Sequence, residues 1–161
     1  MSLYKKILIC IILLAPLPLI AAPFTKLVVF GDSLSDNGNL AFAASIPATG
    51  LSDYNFLNQP PYQHGFNNGD PAVQQLAKLL NLPLTPSLYL VGLFEGNNFA
   101  VAGARAAGNL GIDLNAQIAA FLVSQAGSVS ADTLYIIFIG DNDIRDMRDA
   151  VDEKASRTIL R

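Results

Sequence analysis

Three points of the chain carry residues able to handle an acyl group: Ser33 in FGDSLSDNGN (30–39), Gly103 in NNFAVAGARA (97–106) and Asn142 in FIGDNDIRD (138–146). A serine hydroxyl that attacks a carbonyl carbon leaves negative charge on the carbonyl oxygen, and that oxyanion needs preorganised hydrogen-bond donors. The backbone N–H of Ser33, set near a helix start, is one candidate donor. The N–H of Gly103 is a second, because a residue without Cβ lets the backbone approach a ligand closely. The side-chain amide of Asn142 is a third. Asp32, Gly140 and Asp143 adjoin these residues as supporting positions.

The elements that must position them follow from hydropathy. KLVVF (26–30) is apolar and β-branched and closes on Gly31, so it reads as a short buried strand. A helix is expected over 33–44. Residues 46–69 hold Pro47, Gly50, Pro60, Pro61, Gly65 and Gly69, which is loop composition over an unusual length. Asp70-Pro71 opens a second helix, with Asp70 as N-cap and Pro71 at the first helical position, running to the stop at 81–83. NFAVA (98–102) is a strand candidate. Asp113 caps a third helix, with Leu114, Ile118, Phe121 and Leu122 at helical spacing. TLYIIFI (133–139) is the clearest buried strand, and a last helix rich in Asp and Arg starts near Asp143. Strands and helices in alternation, with strands apolar throughout, predict an α/β fold: a three-layer sandwich around a parallel sheet. Ligands of such sheets sit outside the carboxyl ends of the strands, where all three candidate donors fall.

Residues 1–22 stand apart. Lys5 and Lys6 precede the apolar run 7–20, which ends in Ala21 and Ala22, the order of a secretory signal peptide. The run is short for a bilayer span, so export to the periplasm or beyond the cell is expected, with an uncleaved anchor as the alternative. Losing Lys5 and Lys6 leaves 8 of the 10 basic residues against 13 acids, a net charge of −5 over residues 23–161. With no cluster of Lys or Arg, nucleic-acid binding has no electrostatic footprint. The one cysteine, Cys10, lies in the apolar run, so the mature chain has neither disulfide nor thiol chemistry.

The three blocks together resemble those of the GDSL esterase/lipase family, also called SGNH hydrolases. FGDSLSDNGN is similar to its first block, NNFAVAGARA to its second, and FIGDNDIRD to its third, whose core is Gly-x-Asn-Asp. YQHGFNNGDPAVQQLAKLL (62–80) also resembles the family's stretch between the first two blocks. The resemblance spans nearly all of 27–161. It implies Ser33 as nucleophile, Gly103 and Asn142 as the other oxyanion donors, and ester hydrolysis through an acyl-enzyme without a cofactor. FGDSLSDNGN looks most like the secreted bacterial branch of phospholipases, lysophospholipases and related acyltransferases, which implies a lipid or short acyl ester as substrate.

Competing motifs fail on their own terms. A Gly-x-Ser-x-Gly elbow needs Gly where Ser35 stands. Ser35-Asp36-Asn37 matches a β-lactamase triplet, but the only Ser-x-x-Lys begins at Ser2. A calcium loop through Asp141 and Asp143 would need an oxygen ligand at Arg145 and a glycine at Asp146, so no metal is expected and these acids read as a solvated helix face.

The pattern breaks at the general base. In the family the base is the His of an Asp-x-x-His block near the C-terminus, and these 161 residues contain no such block. The one histidine, His64, lies in the long loop, either as an ordinary loop residue or as a makeshift base for Ser33. The chain therefore reads as the N-terminal part of a hydrolase domain, truncated before its base, weakly active or inactive alone and with one side of the sheet left as an unpaired edge. The alternative is a non-catalytic exported remnant that binds acyl or anionic ligands. Phe42, Tyr54, Phe56, Tyr62 and Phe66 either line an acyl pocket or pack the loop.

Overall fold

The computed structural model describes residues 24–159; the expected export segment and Cys10 lie outside the described residues. Strand β1 (Lys26–Gly31) pairs in parallel with β2 (Thr133–Phe138), Lys26 lying opposite Thr133 and Gly31 opposite Phe138. Alternation along β1 sends side chains to both faces of the sheet. Leu27 and Val29 pack with Val73 and Ala77 of helix α2 (Ala72–Leu80), and Val28 and Phe30 pack with Ala120 and Phe121 of helix α3 (Leu114–Ser124). Helix, sheet and helix make the three layers of an α/β fold. Phe30, Phe99 and Phe121 close the second face, with Phe121 edge-on to Phe30 at 5.6 Å between centroids. A third cluster joins Leu40 and Ala41 of helix α1 (Asn39–Ala44) to Leu57, Val101 and Ala102.

The expected strand over 98–102 is not a regular one. Its backbone does lie along the free edge of β1, through Val29 N–H to Asn97 O (3.0 Å), Phe99 N–H to Val29 O (2.7 Å) and Val101 N–H to Gly31 O (3.1 Å). Only a bridge at Val29 and Asn98 forms, however, because the two asparagines divert the neighbouring backbone groups. Asn97 Nδ2 donates to Leu27 O and Pro83 O, while Asn98 Oδ1 accepts the N–H of Ala100. Side chains of this kind compete with ladder bonds.

Other boundaries also move. The helix expected from Ser33 starts at Asn39, because Asp32 O takes the N–H groups of Ser35 and Asp36 in a tight turn first. The N-cap residue of α2 is Pro71 rather than Asp70, whose carboxylate instead pairs with Lys78. Asp113 precedes α3 as expected, but its side chain does not cap that helix. It reaches back to the N–H groups of Arg105 (2.8 Å) and Leu110 (2.7 Å). Helix α4 runs Asp141–Ile159, two residues earlier than expected, and β2 ends at Phe138, one residue sooner. The long loop contains short 3-10 turns at Pro47–Thr49 and Ser52–Asn58.

Candidate active site

Ser33 follows β1 directly, so what holds the end of β1 holds the serine. Gln117 of α3, fully buried, accepts the N–H of Gly31 on Oε1 (2.9 Å) and donates Nε2 to the Gly31 carbonyl (2.7 Å). Any side chain at position 31 would meet Phe138 O at 2.6 Å, so glycine is required where the elbow crosses β2. Beyond Gly31 the Asp32 carboxylate accepts the N–H of Leu34 (3.1 Å), tightening the turn around Ser33.

The polar residues after Ser33 are nearly all consumed in anchoring. Asp36 is buried, and its carboxylate accepts four backbone N–H groups: Gly38 (2.9 Å), Asn39 (2.8 Å), Leu40 (3.3 Å) and, from the second block, Ala102 (3.0 Å). The first three lie at the start of α1, where a carboxylate also complements the helix dipole. Burial pushes the Asp36 carboxyl up from its ordinary range, and the four N–H bonds, which favour the ionised form, pull against that. Asn39 Nδ2 donates to the carbonyls of Asn98 (2.8 Å) and Ala100 (2.9 Å), and Asn98 Nδ2 returns bonds to Ser35 O (2.8 Å) and Asn37 Oδ1 (2.7 Å). The first and second blocks are thus tied into one buried unit.

The third block grips the second from the other side. Asn142 is 3% exposed and donates Nδ2 to Ala104 O at 2.8 Å. Asp143 accepts the N–H groups of Ala106 (2.8 Å) and Ala107 (3.1 Å), and those bonds hold its carboxyl below the usual carboxylate range. Asp146 accepts Arg105 Nε (2.5 Å), which lowers its carboxyl likewise. Two of the acids expected on a solvated face therefore work as clamps, although Asp141 is exposed as expected.

These contacts bring the three predicted donors together. Ser33, Gly103 and Asn142 line one cavity of about 260 Å³, with Tyr54, Phe66 and Arg145 on its walls. Within the described residues neither the Ser33 hydroxyl nor the backbone N–H of Ser33 or Gly103 is hydrogen-bonded, so both N–H groups remain to receive an oxygen. Gly103 has φ of 87°, a conformation few side chains tolerate. Gly140, with φ of 127°, turns the chain from β2 into α4 ahead of Asn142. On its other side Ser33 borders a second, mainly apolar cavity of about 290 Å³ with Leu34, Phe66, Pro71, Ala72 and Phe138. Of the five aromatics expected as pocket or packing, Tyr54 and Phe66 line the Ser33 cavity. Phe56 and Tyr62 meet Phe66 edge-on, at 6.0 and 6.3 Å between centroids.

His64 is elsewhere. It opens on a separate cavity with Asn37, Gly38, Phe42 and Leu88, and its Nδ1 bonds Asn58 Oδ1 at 3.1 Å. Among the described residues no group of three or more His, Cys, Asp or Glu could hold a metal ion. Sequence reasoning missed Asp36, Asn39, Asn98, Gln117 and Arg145. The signal for the first three was the surplus of polar residues in the first block and at the head of the second.

A profile described as GDSL-like lipase/acylhydrolase matches residues 27–160. A phosphatidylcholine-sterol acyltransferase of Aeromonas hydrophila is 29% identical over 97% of this chain and 48% of its own length. Acetylajmalan esterase 2 of Rauvolfia serpentina is 38% identical over 55% of this chain and 26% of its own. A GDSL esterase/lipase of Arabidopsis thaliana is 35% identical over 52% and 23%. The chain therefore spans about half the length of the bacterial relative and about a quarter of the plant ones. With its blocks in order and the family profile matching residues 27–160, this chain belongs to the GDSL family of lipases and acylhydrolases, whose chemistry is ester hydrolysis.

Proposed function

We propose that these residues form the nucleophile and oxyanion half of an exported serine esterase acting on lipid or short acyl esters. Ser33 Oγ attacks the ester carbonyl carbon, and the oxygen that gains charge takes N–H bonds from Ser33, Gly103 and Asn142. The tetrahedral species expels the alcohol, leaving the acyl group on Ser33, and water releases it as a carboxylic acid. The apolar cavity beside Leu34 and Phe66 suits the acyl chain, and the cavity lined by Gly103 and Asn142 suits the reacting carbonyl. One observation carries the reading: Ser33, Gly103 and Asn142 line a single cavity with two backbone N–H groups unspent.

The Ser33 proton needs an acceptor, and His64 faces another cavity. Turnover by these residues alone is then limited to what binding and the oxyanion hole supply, roughly 10³–10⁴-fold over water in serine hydrolases that have lost their triad. The same observation favours a second reading, an exported remnant that binds acyl or anionic ligands without turnover. Labelling with a fluorophosphonate separates the two. A hydrolase is modified at Ser33 and loses the label in Ser33→Ala; a binding remnant stays unlabelled. Hydrolysis of a nitrophenyl ester at the rate of a complete esterase would mean that the base lies within these residues.

A further inference from the structure

Arg145 is the one charged side chain among those lining the Ser33 cavity. Lys78, Arg105 and Arg148 each pair with a carboxylate, and Arg105 occupies Asp146, the residue next to Arg145. Arg145 makes no ion pair among the described residues; its Nη2 donates instead to Oδ1 of Asn142. A guanidinium can only donate, so the atom of Asn142 that faces it must be the oxygen. At the other end Nδ2 meets the Ala104 carbonyl, which can only accept. The two contacts together fix which end of this buried amide is nitrogen, a choice that a symmetric surrounding would leave open. One hydrogen of Nδ2 goes to Ala104 O, and the second is left for an oxygen in the cavity that Asn142 and Arg145 line together. A cation on the carbonyl side also draws electron density toward Oδ1, which makes Nδ2–H a stronger donor.

We propose that Arg145 is a positioning residue that orients and polarises the Asn142 amide for the oxyanion. The proposal rests on the reading of Asn142 as an oxyanion donor. Its action runs through Asn142 and not through substrate contact, which gives it a distinctive signature. Removing an oxyanion donor outright costs about 10²–10³ in kcat, and loosening one through its partner should cost about tenfold.

The test uses the full chain with Arg145→Met, Arg145→Lys, Asn142→Ala and the Asn142→Ala/Arg145→Met double variant. Two quantities are followed: solvent exchange of the Asn142 side-chain amide by NMR, and kcat and KM for nitrophenyl butyrate. Arg145→Met is expected to speed that exchange and lower kcat by about tenfold with KM unchanged. Arg145→Lys, which keeps a cationic donor, should retain most of both. In the Asn142→Ala background the Met substitution should change nothing further. The proposal is overturned if Arg145→Met leaves the Asn142 amide exchange as it was, or if it lowers kcat equally with and without Asn142. Should wild type and Ser33→Ala show equal ester turnover, the hydrolase reading fails, and the NMR comparison alone decides the role of Arg145.

Discussion

The two flanks of the Ser33 site are built differently. On the Asp36 side, the first and second blocks meet through the hydrogen-bonded side chains of Asp36, Asn39 and Asn98, and Gln117 of α3 holds Gly31; all four are at most 1% exposed. On the β2 side the flank is apolar and open, with Phe138 at 52%, Ile137 at 58%, Ile144 at 68% and Met147 at 69% exposure. The contrast separates two tasks. The position of Ser33 is set by groups already in place, so the proposed nucleophile and the N–H groups beside it are preorganised within these residues. The flank where β2 and α4 meet contributes Asn142, Asp143 and Arg145 but little packing.

That contrast can be broken at its strongest point first. Asp36→Ala strips four backbone N–H groups of their acceptor, and buried donors left unmet cost about 1–3 kcal/mol each before relaxation. A loss of about 3 kcal/mol or more in urea unfolding is expected, against little change if the cap were incidental. Gln117→Leu keeps the volume but removes both bonds to Gly31, for a loss of about 2 kcal/mol in the same measurement. Its effect should extend to Ser33, seen as slower fluorophosphonate labelling.

The third-block clamp responds to pH. The Asp143 carboxyl is held below its ordinary range by the N–H groups of Ala106 and Ala107. Its contribution is therefore present above the unfolded value, about 3.9, and is lost as pH falls through the lower folded value. The protection factors of the Ala106 and Ala107 amides should fall on acidification in wild type, and already be low at neutral pH in Asp143→Ala. The smallest effect belongs to the open flank: Ile144→Glu, an exposed position, should change unfolding stability by less than about 0.5 kcal/mol. A large loss there would mean that the flank packs as tightly as the Asp36 side.

Much of this was legible in residue order. β1, α2 and α3 follow from apolar periodicity and Gly or Pro stops; β2 forms where expected but is not the buried strand its apolar run suggested, because Ile137 and Phe138 lie open on a sheet of two strands among the described residues. That Ser33, Gly103 and Asn142 meet at one cavity could be expected because each follows a strand-like segment within a few residues, and parallel pairing brings those ends together. The third strand was misread because Asn97 and Asn98 spend their amides on backbone groups, which hydropathy does not register. Asp36 was hidden for a related reason: its four partners include Ala102, 66 positions away, and no local spacing announces such a contact. The acids of α4 were read as solvated because their helix is polar, whereas Asp143 and Asp146 each find a partner on the loop after Gly103.

The central proposal is that Ser33 is a nucleophile with its oxyanion donors in place and, among the described residues, no base beside it. Mass spectrometry of the chain after incubation with nitrophenyl butyrate tests this most directly. The account predicts a butyryl adduct that forms slowly, maps to the peptide containing Ser33 and is absent from Ser33→Ala. An adduct on another residue, or acylation of Ser33→Ala at the wild-type rate, would contradict it.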